Sequence, residues 1–323
     1  MNKFPVIDGH CDTVLRLFQN GSSDLDALAN KHISIKGLKE GGVILQFFAI
    51  CPRCAGQCIS ILDAGLKLAD MYHLFVKRYS GDLTHIEKYD DIDAAAKRGK
   101  IGCLFSIEGG EALCGELSYL RLYHLMGVRC ITLTWMYRNE IAGGIMEKSS
   151  KGGLTDFGRE VVKEMNRLGM LIDVSHISVE GFWDVVERSS DPIAATHSNA
   201  KKLCSHSRNL SDDQIMAIKK NGGVIGINFY EGFLKDEGRA GIQDIVKHIE
   251  YIAALAGCGH LAFGTDFDGI DRLPEGVGGP SCFPAIAEEL LRLNYREEDV
   301  YNIFCGNYLK ILKSVLKNPQ EPA

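Results

Sequence analysis

The sequence has no apolar run near the ~18–20 residues that a membrane helix needs. Its longest candidates, such as Gly42–Ile50, have strand length. It also lacks a basic excess: 36 Lys and Arg stand against 42 Asp and Glu, a net charge of −6. Such a chain has no surplus cations to neutralise phosphates, which argues against general nucleic-acid binding. The opening residues enter a polar motif by Asp8 with no h-region and no cleavage site, so no signal peptide is expected. No Pro/Gly/Ser-rich linker, low-complexity tract or sequence repeat interrupts the chain, and 1–323 reads as one domain. The 11 cysteines are odd in number and widely spread, unlike those of a small secreted scaffold. Several, including Cys103 and Cys130, sit inside apolar runs. This usage reads as a reducing cytoplasm, with most cysteines acting as small buried apolar residues.

What the sequence does hold is alternation. Eight apolar segments bounded by turn signals read as buried strands: Phe4–Asp12, Gly42–Ile50, Lys100–Glu108, Val128–Trp135, Met170–His176, Pro192–His197, Gly223–Tyr230 and His260–Asp268. Most do not alternate in polarity, as expected of parallel strands buried on both faces. Helical patterns lie between them, over Ser60–Tyr79, Asp90–Arg98, Glu116–Met126, Thr155–Leu168, Val179–Arg188, Ser211–Lys220, Ile242–Ala256, Ala285–Leu293 and Glu297–Leu316. Ser211 and Gln214 form a capping box. Strand and helix alternating eight times predict an α/β fold of the (β/α)8 TIM barrel type, in preference to an open doubly wound sheet. The insertion at 51–99 is expected to hold two helices.

Polar residues collect at one end of these strands: His10 and Asp12, Glu108, His176, His197, and Asp266 with Asp268. In a barrel those ends meet at one mouth, where active sites of this fold lie. Apolar strands have no structural need for such groups, and unpaired they would be costly. A metal centre removes that cost. His10, Asp12, Glu108, His176 and His197 suit two divalent ions sharing one carboxylate. Zinc fits best, and manganese, cobalt or iron also accept these donors. The His10-x-Asp12 spacing puts both side chains on one strand face. Singly, each has a bland reading: His176 as a core histidine, Glu108 as a helix N-terminal anion. Their joint placement favours the metal centre over a structural polar network.

Other residues carry weaker signals. Arg208 is either a solvated arginine or a guanidinium clamp for a carboxylate. His206 reads as an exposed histidine. Asn228 and Tyr230 end the seventh strand and either line the pocket or pack in the barrel. Cys51, Cys54 and Cys58 offer three thiolates with no evident fourth ligand, so a variable loop is favoured over a metal site. The loop Met136–Gly153, with four glycines, is a candidate lid.

These residues together resemble the membrane (renal) dipeptidase family, metallopeptidases of the M19 type. The likeness runs from Asp8–Thr13 to Cys305–Tyr308 and includes Gly153–His176, Ser205–Asp213 and Gly264–Gly269. The resemblance implies a dipeptidase with two zinc ions, hydrolysing a peptide bond by a hydroxide that bridges them. His10 and Asp12 would bind one ion, His176 and His197 the other, and Glu108 both. Arg208 matches the arginine that contacts the dipeptide carboxylate, and Asp266 the acid that handles the proton. The family often accepts a D-residue at the C-terminal position, and the resemblance suggests a homodimer. Unlike the vertebrate membrane enzymes, this chain is expected to carry no signal sequence or lipid anchor.

One position departs from the pattern. Trp135 stands where mammalian members carry a histidine thought to assist at the substrate carbonyl. Its indole donates a single hydrogen bond. Two rivals follow: a barrel metallohydrolase acting on another small amide, lactone or ester, and a metal-binding protein without catalysis.

Overall fold

A computed structural model describes residues 3–56, 59–147 and 152–317. It contains β1 (Val6–Asp8), β2 (Val43–Ile50), β3 (Leu83–His85), β4 (Ile101–Glu108), β5 (Val128–Thr132), β6 (Leu171–Asp173), β7 (Ala194–Ala195), β8 (Val224–Ile227) and β9 (Leu261–Phe263). The strands run β2-β1-β9-β8-β7-β6-β5-β4, and β2 pairs with β4 from Leu45↔Gly102 to Ile50↔Ile107. That pairing closes an eight-stranded parallel barrel and excludes the open sheet. β3 is a ninth strand outside the ring. It pairs with the first residues of β4, on the edge that β5 takes further along. The segment 51–99 thus holds helices Ile61–Arg78 and Tyr89–Lys97 with β3 between them.

Burial on both faces explains the unbroken apolar strands: all eight residues of β4 are buried. Alternate residues divide between two cores. One, inside the barrel, takes Ile7, Leu45, Leu104, Cys130, Leu171, Ala194, Val224 and Ala262, at least one from each barrel strand. Ile311 and Leu312 of the last helix, Asn307–Val315, join it. The other lies between strands and helices and includes Phe48, Phe105, Ile131 and Phe263. Where β7, β8 and β9 press together, only glycine fits. A Cβ on Gly226 or Gly264 would fall 1.9 or 1.6 Å from the Thr196 carbonyl oxygen.

Ser60, Thr155, Ser178 and Ser211 cap helix N-termini through their hydroxyls, and the Ser211–Gln214 capping box is present. Three short helices, Thr13–Gln19, Ile35–Glu40 and Glu231–Leu234, add to the expected set. The expected helix over 297–316 is interrupted by a π-turn at Asn302–Gly306. Cys51 and Cys54 are joined as a disulfide, whereas Cys11, Cys103, Cys130, Cys204, Cys282 and Cys305 are buried thiols. Cys58 lies outside the described residues. Among the described residues, no helix is long and apolar enough to cross a membrane.

Candidate active site

Glu108, the last residue of β4, is the hub of the barrel mouth. Its Oε1 lies 3.0 Å from His176 Nε2, 3.5 Å from His197 Nε2 and 3.7 Å from His10 Nε2. The Nε2 atoms of His176 and His197 are 2.9 Å apart. Donors arranged tetrahedrally at zinc-ligand distance lie about 3.3 Å from one another. Glu108, His176 and His197 therefore fit the corners of one coordination shell. His10 Nε2 lies 3.4 Å from Asp12 Oδ2 and 3.9 Å from Asp266 Oδ1. A second donor group thus stands beside the first, with Glu108 common to both.

All five candidate ligands are buried. His10 Nε2 and Asp12 Oδ1 have no hydrogen-bond partner among the described residues. Buried polar atoms are rarely left so, and imidazoles with carboxylates are the donor set of a divalent ion. Burial, reinforced by the Arg208 and His10 charges, holds His176 and His197 well below the usual imidazole range. They are neutral at pH 7, as ligands must be. His10 goes the other way. Burial opposes its charge, but Glu108, Asp12 and Asp266 outweigh that and push it up to about 10. Without an ion, a proton on His10 balances the acidic group. Burial raises the carboxyls of Asp12 and Asp266.

The strands end in turns that present these groups. His176 and Asp266 each follow their strand by three residues, at φ 68° and 63°. Left-handed conformations cost an L-residue ~1–2 kcal/mol and persist where the surroundings fix them. Asp266 Oδ2 accepts a hydrogen bond from Asn228 Nδ2 at 3.0 Å. Asn228 is fully buried, and Asn199 holds its backbone through both N–H and C=O. Asn228 therefore stands behind Asp266. Tyr230 and the half-buried Trp135 reach a cavity of about 400 Å³, lined also by Asp12, Glu108, His176 and Asp266.

Arg208 is buried, not solvated. Its Nη2 donates to the His197 carbonyl at 3.2 Å, and its guanidinium lies 5.4 Å from the Phe233 ring centre. Its Nε has no partner among the described residues, and no carboxylate there lies at ion-pair distance. Arg208 opens on a second cavity of about 370 Å³ that His176 also lines. Burial lowers its pKa to about 10, against the pull of Asp266 and Glu108, so it stays cationic at pH 7. A buried guanidinium without a counter-ion among the described residues is chemically suited to an anionic partner. His206 is half-buried rather than exposed, and its Nδ1 accepts the Arg208 backbone N–H at 3.2 Å.

The glycine-rich loop after Trp135 is tied to the His176 turn. Ile145 N donates to the His176 carbonyl at 2.8 Å and Ser178 N to the Gly143 carbonyl at 2.9 Å. Residues 148–151 of that loop lie outside the described residues. A layer beneath the donors escapes a reading of strand ends alone. Asp8 accepts from Thr265 and Gln46, and Asp173 from Thr132, Thr196 and Ser175. Its sequence signal is a carboxylate closing an apolar run, in Val6-Ile-Asp8 and again in Leu171-Ile-Asp173.

The family model for membrane dipeptidases, peptidase family M19, matches residues 1–321. The chain belongs to this family. Human Dipeptidase 3 is 32% identical over 335 residues, which cover 99% of this chain and 67% of the human protein. Dipeptidase aclJ of Aspergillus oryzae is 30% identical over 334 residues, covering 98% of this chain and 79% of its own. Two solved structures superpose with a TM-score of 0.88 and cover 97% of this chain and 99% of their own. One is dipeptidase AC, a metallo peptidase of family M19, at 27% identity. The other is a metallo peptidase from Rhodobacter sphaeroides liganded with a phosphinate mimic of the dipeptide L-Ala-D-Ala, at 26% identity. Membership makes this M19 chain a metallodipeptidase, a hydrolase acting on peptide bonds.

Proposed function

We propose that this metallodipeptidase works through two zinc ions, one held by His10 and Asp12, the other by His176 and His197, with Glu108 shared. The observation that carries the reading is the convergence of three imidazole Nε2 atoms on Glu108 Oε1 within 3.7 Å. Ions so held polarise a carbonyl and lower the pKa of water. The remaining work falls to the side chains around them. Arg208 binds the substrate's terminal carboxylate, which selects the bond one residue from the chain end. Asp266, its carboxyl raised by burial, takes a proton and passes it to the leaving amine. Asn228 holds one oxygen of Asp266, so the other faces His10. Trp135 offers one N–H donor at the wall of the substrate cavity, which Tyr230 also lines.

The L-Ala-D-Ala mimic on the Rhodobacter protein supports tolerance of a D-residue at the C-terminal position here. The proposed assembly is a homodimer, and the proposed location is cytoplasmic. The test compares dipeptides with the same dipeptides blocked as C-terminal amides, using zinc-loaded protein. Hydrolysis of the free dipeptides alone is expected. Cleavage of small amides, lactones or esters with no dipeptide turnover would move the site to another substrate.

A further inference from the structure

Beneath His197 a line of hydrogen bonds ends on a buried carboxylate. Asp173, fully buried, closes β6. Its Oδ1 accepts the backbone N–H groups of Ser175 and Thr196, each at 2.9 Å. Its Oδ2 accepts the hydroxyls of Thr132 and Thr196, each at 2.6 Å. The Thr196 Oγ1 is also 2.8 Å from His197 Nδ1. A hydroxyl has one proton to give, and an ionised carboxylate only accepts. Thr196 spends its proton on Asp173, so its oxygen must accept from the ring. His197 then carries its proton on Nδ1, and Nε2 keeps a lone pair. That Nε2 is the atom 3.5 Å from Glu108 Oε1 and 2.9 Å from His176 Nε2.

We infer that Asp173, acting through Thr196, is a positioning residue that fixes His197 in the tautomer able to bind an ion. The inference rests on the reading of His197 as a metal ligand. His176 has no such anchor: its Nδ1 is buried without a hydrogen-bond partner among the described residues. Of the two imidazoles proposed for one ion, His197 is the one set in advance. A purely structural role is the competing account, because the same carboxylate joins β5, β6 and β7 through Thr132 and Thr196. Thr132 separates the two accounts. It donates to the same oxygen and, among the described residues, makes no hydrogen bond to an imidazole.

The test is a zinc titration of the metal-free protein against a chromophoric chelator, with melting temperatures taken alongside. Wild type should bind two ions. Thr196→Val should weaken one of them about 10–100-fold and leave the other near wild type. Thr196→Ser, which keeps the hydroxyl, should restore it. Thr132→Val should lower the melting temperature without that loss. Asp173→Asn should do more than weaken. The two backbone donors keep an oxygen at the Oδ1 position, so the amide nitrogen takes the place of Oδ2 and donates to Thr196. The Thr196 proton then turns to His197 Nδ1, and the ring proton moves to Nε2. Imidazole 15N shifts should report that reversal. Equal ion loss in Thr132→Val and Thr196→Val, or no rescue by serine, overturns the relay. Two ions still bound by His197→Ala overturns instead the ligand reading beneath it.

Discussion

Asn228 Nδ2 donates to Asp266 Oδ2 at 3.0 Å, and this bond turns the other oxygen of Asp266 toward His10, 3.9 Å away. Asp266→Asn removes the proposed proton carrier but keeps the shape. Its kcat should fall about 10²–10⁴-fold with both ions retained. Asn228→Ala leaves the carboxyl in place but unheld, and its kcat should fall by less, about tenfold. Steady-state kinetics with metal analysis decide this, and full turnover in Asp266→Asn would remove the proton role.

Arg208 should act on binding more than on turnover. Losing one partner of a desolvated charge pair costs ~2 kcal/mol or more, so Arg208→Ala should raise KM about 30-fold or more. The penalty for blocking the substrate carboxylate as an amide should largely vanish in this variant. An unchanged KM would put the clamp on another residue.

Metal loading should expel a proton. His10, pushed up to about 10 in the ion-free site, is protonated at pH 7 and must give up that proton to bind an ion. Calorimetry in buffers of unequal protonation enthalpy should show release of about one proton from this group at pH 7, falling through one half near pH 10. The sign carries over to stability. His10 is raised from 6.5, so its contribution to the ion-free protein is full below pH 6.5 and is lost as pH rises through about 10. Melting temperatures of chelated and loaded protein should therefore diverge with rising pH. A constant gap would contradict a protonated His10.

Gly264 marks the tightest contact under the site. A methyl group there meets the Thr196 carbonyl, which is backbone and cannot move aside. Gly264→Ala should destabilise the fold by ~1–3 kcal/mol and disturb the adjoining Thr196–His197 segment. Denaturant unfolding measures the first effect and zinc titration the second.

The ring of strands and its polar mouth were legible because buried parallel strands have a distinct pattern. His10, Glu108, His176, His197 and Asp266 each follow an apolar run that has no other use for them. Strand ends were less legible. Pro192–His197 reads as one apolar segment, yet only Ala194–Ala195 is strand, because the chain leaves the sheet to form the site. β3 is three residues long and carries no periodicity. The depth of Asn228 and Arg208 was open, since one polar residue at a strand end looks alike whether it faces a cavity or stands behind it. Hydroxyl partners such as Thr196 are hidden for a related reason: threonine is an ordinary strand residue.

The most direct measurement is ninhydrin-detected hydrolysis of a panel of L,L- and L,D-dipeptides by protein shown to hold two zinc ions, with Asp266→Asn alongside. Cleavage by the wild type and near-complete loss in the variant are expected, with L,D-dipeptides among the substrates. No cleavage of any dipeptide by the two-zinc protein would contradict it.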